Sequence, residues 1–244
     1  MFPIRDHNPS ESVPYITYGL IAANIGIYLI TLILFPDDRA LYRLYADYAM
    51  IPARLTVEQT YSTLFTSTFL HAGFMHLAGN MLFLWVFGDN LEDKMGHAPF
   101  LMFYLLSGLG AGMAQYLSET MSPVPMVGAS GAIAGVMGGY LLMFPKARVD
   151  ILIFFVVFFR ILPVPAWIML GLWFGMQLFN GVLFNTVGGG VAYWAHAGGF
   201  VAGMILTFPL WLRAGGTGFW KRTGGHPDHP AATYRRSSVP LVRR

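Results

Sequence analysis

The chain of 244 residues has no cysteine, which excludes disulfides and leaves thiol usage silent about redox compartment. Charge is scarce as well. Asp, Glu, Lys and Arg make up 11% of the residues, against about 25% in an ordinary soluble domain. With 55% hydrophobic residues and a mean hydropathy of +0.55, this composition points to an integral membrane protein. The 12 acidic residues are missing from the long apolar runs and fall in loops and tails. There is no His-Glu-x-x-His pattern and no cysteine ligand set for zinc, and His71 and His76 are five apart, about 140° around a helix. No metal or other cofactor is therefore expected. No nucleic-acid module is present either, because the basic residues cluster beside the apolar segments. No internal repeat of the transporter kind is visible.

What is present is a series of apolar runs. Tyr15–Phe35 is long enough for the ~20 residues that a spanning helix needs. Pro36-Asp37-Asp38 follows it instead of a small-residue cleavage site, so it reads as a retained span. Further spans are expected at Leu64–Phe87, Phe100–Leu117, Met126–Phe144, Ala166–Phe184 and Tyr193–Trp211. Residues 36–60 mix tyrosines with Arg39, Arg43 and Arg54, which suits a loop half-sunk in the interface. Asp89–Lys94 reads as a polar turn, and Gly188–Gly190 as another. Val149–Leu162 is apolar and β-branched but too short to cross, and reads as interfacial or re-entrant. Residues 1–14 are too few for a domain. Residues 213–244 are basic and rich in Gly, Pro and Arg, and are expected to be a disordered tail.

Six spans bring both termini to one side. That side then holds Arg5, Lys94, Lys146, Arg148, Arg160, Arg213, Lys221, Arg222, Arg235, Arg236, Arg243 and Arg244, leaving only Arg39, Arg43 and Arg54 opposite. The positive-inside rule then makes both termini cytoplasmic.

One stretch organises the chemistry: Met126-Val127-Gly128-Ala129-Ser130-Gly131-Ala132-Ile133-Ala134-Gly135. A serine among small residues in a membrane helix is commonly a packing residue. A nucleophile elbow would need glycine where Ala132 stands, and a strand before it. The remaining reading is a nucleophilic serine at a helix start, which needs a base and oxyanion donors at the same depth. Counting from the inner span ends at ~1.5 Å per residue, Ser130 and His196 both lie roughly 22 Å up, and His76 roughly 20 Å. Asn80, four residues after His76, shares its helix face. Gly131, Gly135 and Gly139 recur every four residues, and Gly199 and Gly203 lie on the His196 face, so the two helices can approach closely. Ionisable residues inside a membrane are functional by default. With no acid at that depth, serine and histidine would act as a dyad. The Asn80 amide, an N–H of His76 and the Ser130 backbone N–H are the candidate oxyanion donors.

Together, His71-x4-His76-x3-Asn80, Gly128-x-Ser130-Gly131 and Ala195-His196-x2-Gly199-x3-Gly203 resemble the rhomboid family of intramembrane serine proteases. The turn at Gly88–Asp93 is similar to the family's too, and the likeness runs from about Tyr15 to Leu212. The resemblance implies an all-α membrane protein: a six-transmembrane-helix bundle with a membrane-associated first loop and a short interfacial segment between spans 4 and 5. It implies Ser130 as nucleophile, His196 as base, His76 and Asn80 assisting the oxyanion, and a structural or cavity-lining role for His71. The implied partners are the lipid bilayer and transmembrane protein substrates, cut near the outer side of the membrane. The implied setting is a bacterial inner membrane. Some relatives carry an aromatic residue where this chain has Ala134; Tyr193 or Trp194 is the expected replacement against His196. The Trp-Arg pair of some relatives' first loop is also missing. Two other classes fit the residues less well: a catalytically silent relative that binds transmembrane helices, and a small-solute transporter. The first typically lacks the Ser or His present here, and the second would want paired charges within the spans.

Overall fold

The structure, a computed structural model, describes residues 2–155, 158–184 and 190–228. Strand β1 (Phe2–Asp6) precedes helix α1 (Tyr15–Leu34). Two short helices, α2 (Asp38–Tyr48) and α3 (Pro52–Glu58), fill the first loop. Helix α4 (Thr63–Thr66) continues through a 3-10 turn at Ser67–Phe69 to α5 (Phe74–Met95). Then come α6 (His97–Ser118), α7 (Ser130–Met143), strands β2 (Arg148–Phe155) and β3 (Phe158–Pro165), α8 (Ala166–Leu183), α9 (Tyr193–Ala214) and α10 (Thr217–Thr223). Helices α1, α6, α8 and α9 are each long and apolar enough to cross a membrane, and the bent pair 63–69 plus α5 makes a fifth candidate.

Helix α7 is the centre. Every residue in it except Ser130 and Leu141 is buried, as expected of a helix apolar on all sides. Its 14 residues span only ~21 Å, short of a ~30 Å hydrocarbon core. Glycines set its packing. A Cβ on Gly199 would strike the Gly131 carbonyl oxygen, one on Gly203 the Gly135 carbonyl, and one on Gly138 the Phe200 carbonyl. The backbones of α7 and α9 are therefore in direct contact along their length. Helix α6 closes the next side, where a Cβ on Gly131 would come within 2.5 Å of Ala111 Cβ.

Three boundaries differ from the sequence expectation. The second span does not run straight from Leu64; the chain breaks at residues 70–73 and turns by 95° into α5. Helix α5 then continues through the stretch expected to be a turn. Its polar residues have buried partners there: Glu92, 1% exposed, accepts hydrogen bonds from Ile16 N, Thr17 N and Thr17 Oγ1, each at 2.8 Å. This carboxylate caps α1, whose own N-cap Pro14 offers no side-chain cap. The fourth helix starts at Ser130 rather than Met126, because the residues before it form a non-helical strap paired to the first loop through Met50 and Met126. The segment Val149–Leu162 does not cross; it lies in the β2–β3 hairpin, antiparallel with Ile151 opposite Leu162. The β-branched residues that made it ambiguous suit a strand. The N-terminal residues add β1 antiparallel to β2, giving a three-stranded sheet at one end of the helical bundle.

Part of the tail is also ordered. Phe219 is buried, Trp220 Nε1 donates to the Leu142 carbonyl at 3.0 Å, and Lys94 pairs with Asp228 at 2.8 Å. An aromatic pair that can cover the C-terminal ends of α7 and α9 outweighs the Gly-rich composition around it. Residues 229–244 and the turn positions Gly188 and Gly189 lie outside the described residues. Residue 2 on β1 and residue 228 beyond α10 reach the same end of the bundle.

Candidate active site

The strap before α7 aims its first residue. Gly128 takes φ +125°, a conformation open to glycine, and its N–H donates to the Ser67 carbonyl at 2.9 Å. Its missing side chain matters too: a Cβ would lie 2.6 Å from His76 Nε2. The chain then enters α7 at Ser130, where the N–H groups of the first turn have no acceptor within the helix.

His196 comes from the first turn of α9. That turn is fixed from α6, because Ala195 N donates to Gln115 Oε1 at 3.2 Å. Ser130 Oγ and His196 Nε2 are 2.8 Å apart. On the other side of the ring, His196 Nδ1 and Gln177 Oε1 of α8 are 2.9 Å apart. Trp173, one turn earlier on α8, lays its indole against the imidazole with centroids 5.7 Å apart and planes at 33°. This tryptophan takes the place expected for Tyr193 or Trp194; Trp194 packs instead at Gly181.

His76 and Asn80 enter from the first turns of α5, just past the chain break. Both line the cavity that also exposes Ser130, His196, Gly128 and Gln115; its volume is about 700 Å³. Asn80 Nδ2 is 2.9 Å from His71 Nε2, so the buried His71 stands behind the amide and outside the cavity lining. The His71 and His76 rings meet edge to face at 5.1 Å. Among the described residues no carboxylate lines this cavity, whose walls are largely apolar (Phe83, Met126, Met137, Trp173). Gly131, Gly199 and Gly203 lie on the α7–α9 seam, and of these only Gly131 reaches the cavity. Chemically, the arrangement is an alcohol facing an imidazole nitrogen, with N–H donors converging beside it.

A family model for the rhomboid domain matches residues 58–213. The chain belongs to the rhomboid family. The chain is 26% identical over 203 residues to rhomboid protein 1, mitochondrial, of Saccharomyces cerevisiae, covering 78% of this chain and 51% of that protein. It is 44% identical over 80 residues to the putative rhomboid protease YdcA of Bacillus subtilis, covering 33% of this chain and 40% of that protein. A third relative is the rhomboid protease GluP of Bacillus subtilis, 42% identical over 78 residues, covering 32% of this chain and 15% of that protein. The chain thus spans about half or less of the length of these relatives. The rhomboid family includes intramembrane serine proteases, and this member is an integral membrane protein of predominantly helical build.

Sequence reading did not single out Gln177 or Trp173. A glutamine in the apolar fifth span was a visible signal for the first. Tryptophan in a span reads as lipid-facing or interfacial, so the second had none.

Proposed function

We propose that this rhomboid protein is a serine endopeptidase that hydrolyses peptide bonds within the membrane through a Ser130–His196 dyad. The observation that carries the reading is the 2.8 Å contact between Ser130 Oγ and His196 Nε2, opening on a cavity large enough for a peptide segment and water. In this reading His196 takes the hydroxyl proton as Oγ attacks the scissile carbonyl. The developing oxyanion is met by the Ser130 backbone N–H, His76 and the Asn80 amide. His196 then returns the proton to the leaving amine, and water, activated by the same imidazole, hydrolyses the acyl-enzyme.

The substrates in this reading are transmembrane segments of other membrane proteins, with residues 15–212 forming the catalytic unit. The short α7 supports a submerged site, since a helix of ~21 Å cannot bring both ends to the surfaces of a ~30 Å core. The common end reached by residues 2 and 228 supports an even number of crossings. Counting α7 and the bent second span gives six, with both termini on the cytoplasmic, positively charged side.

The test is cleavage of a reporter membrane substrate together with fluorophosphonate labelling in detergent. Ser130→Ala and His196→Ala are expected to lose cleavage by at least about 10³-fold while remaining folded, and Ser130→Ala to lose the label. Full activity in Ser130→Ala would end the reading.

A further inference from the structure

We propose that Gln177 is a positioning residue that holds His196 as the tautomer protonated at Nδ1, so that a neutral amide does here what a carboxylate does in a triad. The inference rests on the dyad reading above and adds a third side chain to it.

The argument is one of donors and acceptors. The Gln177 amide is buried on α8 and bonded at both ends. Its Nε2 donates to the Trp173 carbonyl, 3.1 Å away, one turn back on the same helix. Reversing the amide would set its oxygen against that carbonyl oxygen, acceptor against acceptor. Oε1 therefore faces His196 Nδ1, and an amide oxygen can only accept. The proton must then sit on Nδ1. A neutral imidazole carries one N–H, so Nε2 presents its lone pair to Ser130 Oγ, which donates. The hydroxyl proton is thus already directed at the atom that must receive it.

Packing alone does not account for this glutamine. A polar side chain on an apolar span is costly unless bonded, and the bond to Trp173 satisfies only the amide nitrogen. His196 is what satisfies the oxygen. Trp173, four residues earlier on the same face, fixes the ring plane while Gln177 fixes its rotation. The choice of amide over acid has a consequence for charge. The groups around His196 are Ser130 from α7, Gln177 and Trp173 from α8, Gln115 from α6 and the titratable His76 from α5. A carboxylate at 177 would stabilise the imidazolium and keep the base protonated to higher pH. The amide orients the ring without that bias.

Two variants of the full chain in detergent decide the matter, with Ser130→Ala as the dyad control. Gln177→Leu is expected to lower kcat by about 10- to 100-fold with KM little changed, since it frees the ring to take the wrong tautomer. Gln177→Glu is expected to recover much of that rate at alkaline pH, with the acid limb of its kcat/KM profile moved up by about one pH unit. Nitrogen-15 NMR of the imidazole in wild type is expected to show the Nδ1–H tautomer, and in Gln177→Leu a mixture. Wild-type kcat in Gln177→Leu, or an unmoved acid limb in Gln177→Glu, would overturn the proposal even where Ser130→Ala and His196→Ala are dead. Cleavage retained in Ser130→Ala would remove the dyad and this inference together. Should Gln177→Leu fail to fold, the Gln177→Glu profile decides.

Discussion

Asn80 shows how one side chain is spent twice. One amide hydrogen is committed to His71 Nε2, which leaves the other for the cavity and fixes its direction. His71, expected to be structural or to line the cavity, stands behind the Asn80 amide and does not line the cavity. His76 is held differently, by the absence of a side chain at Gly128 and the edge of His71. In the proposed reaction, His76→Ala and Asn80→Ala should each lower kcat by about 10²-fold or more with KM nearly unchanged, because the charge they meet exists only in the transition state. Steady-state cleavage of the reporter at several substrate concentrations checks this; a loss confined to KM would assign both residues to substrate binding. Ser130, His76 and His196 were legible in the sequence because polar residues stand out against apolar runs. Gln177 stood out equally, but nothing in its spacing tied it to His196, since the sequence does not say how helices α8 and α9 are oriented against one another.

At the scale of elements, the seam between α7 and α9 sets the distance from Ser130 to His196. The four-residue glycine spacing announced it, and Gly131 over Gly199 and Gly135 over Gly203 are the contacts that result. Gly203→Ala should destabilise the protein by about 1–3 kcal/mol, because its Cβ has only the Gly135 backbone to displace. The control is Gly26→Ala on α1, where nothing lies within 4 Å, and which should be neutral or slightly stabilising. Thermal unfolding in detergent measures both, and equal melting temperatures would mean the seam yields. Element boundaries were less legible than the seam. Asp89–Lys94 reads as a turn because its polarity is visible and its partners are not: Ile16 and Thr17, which Glu92 caps, lie more than seventy positions away. Val149–Leu162 needed β1 for its meaning, and five residues at the N-terminus carry no signal strong enough to name a sheet.

Over the whole molecule, the sheet fastens the N-terminal strand at one end of the helical bundle and makes stability depend on pH. Burial pushes the Asp6 carboxyl up to about 8, with the nearby Asp89 adding to the rise and the hydrogen bond from Tyr140 Oη at 2.7 Å opposing it. A carboxyl raised in the folded state favours folding fully below its ordinary value of 3.8, and that contribution is lost as pH climbs towards about 8. Asp150 works the other way. Burial resists its ionisation, but hydrogen bonds from His7 at 2.9 Å and Arg5 at 2.6 Å more than offset this and hold it below the usual range, so its contribution fades in acid. Asp6→Asn keeps an acceptor for Tyr140 and should raise the melting temperature at pH 8 more than at pH 5. An equal gain at both would place the pH dependence elsewhere. The order of the chain adds one more consequence. Helix α7 is made before α9, yet α9 brings both its covering wall and the imidazole that faces it. Until that helix leaves the ribosome and slots in, a half-synthesised copy holds an alcohol with no partner, so in the proposed reaction a nascent copy could not yet cut its neighbours in the bilayer.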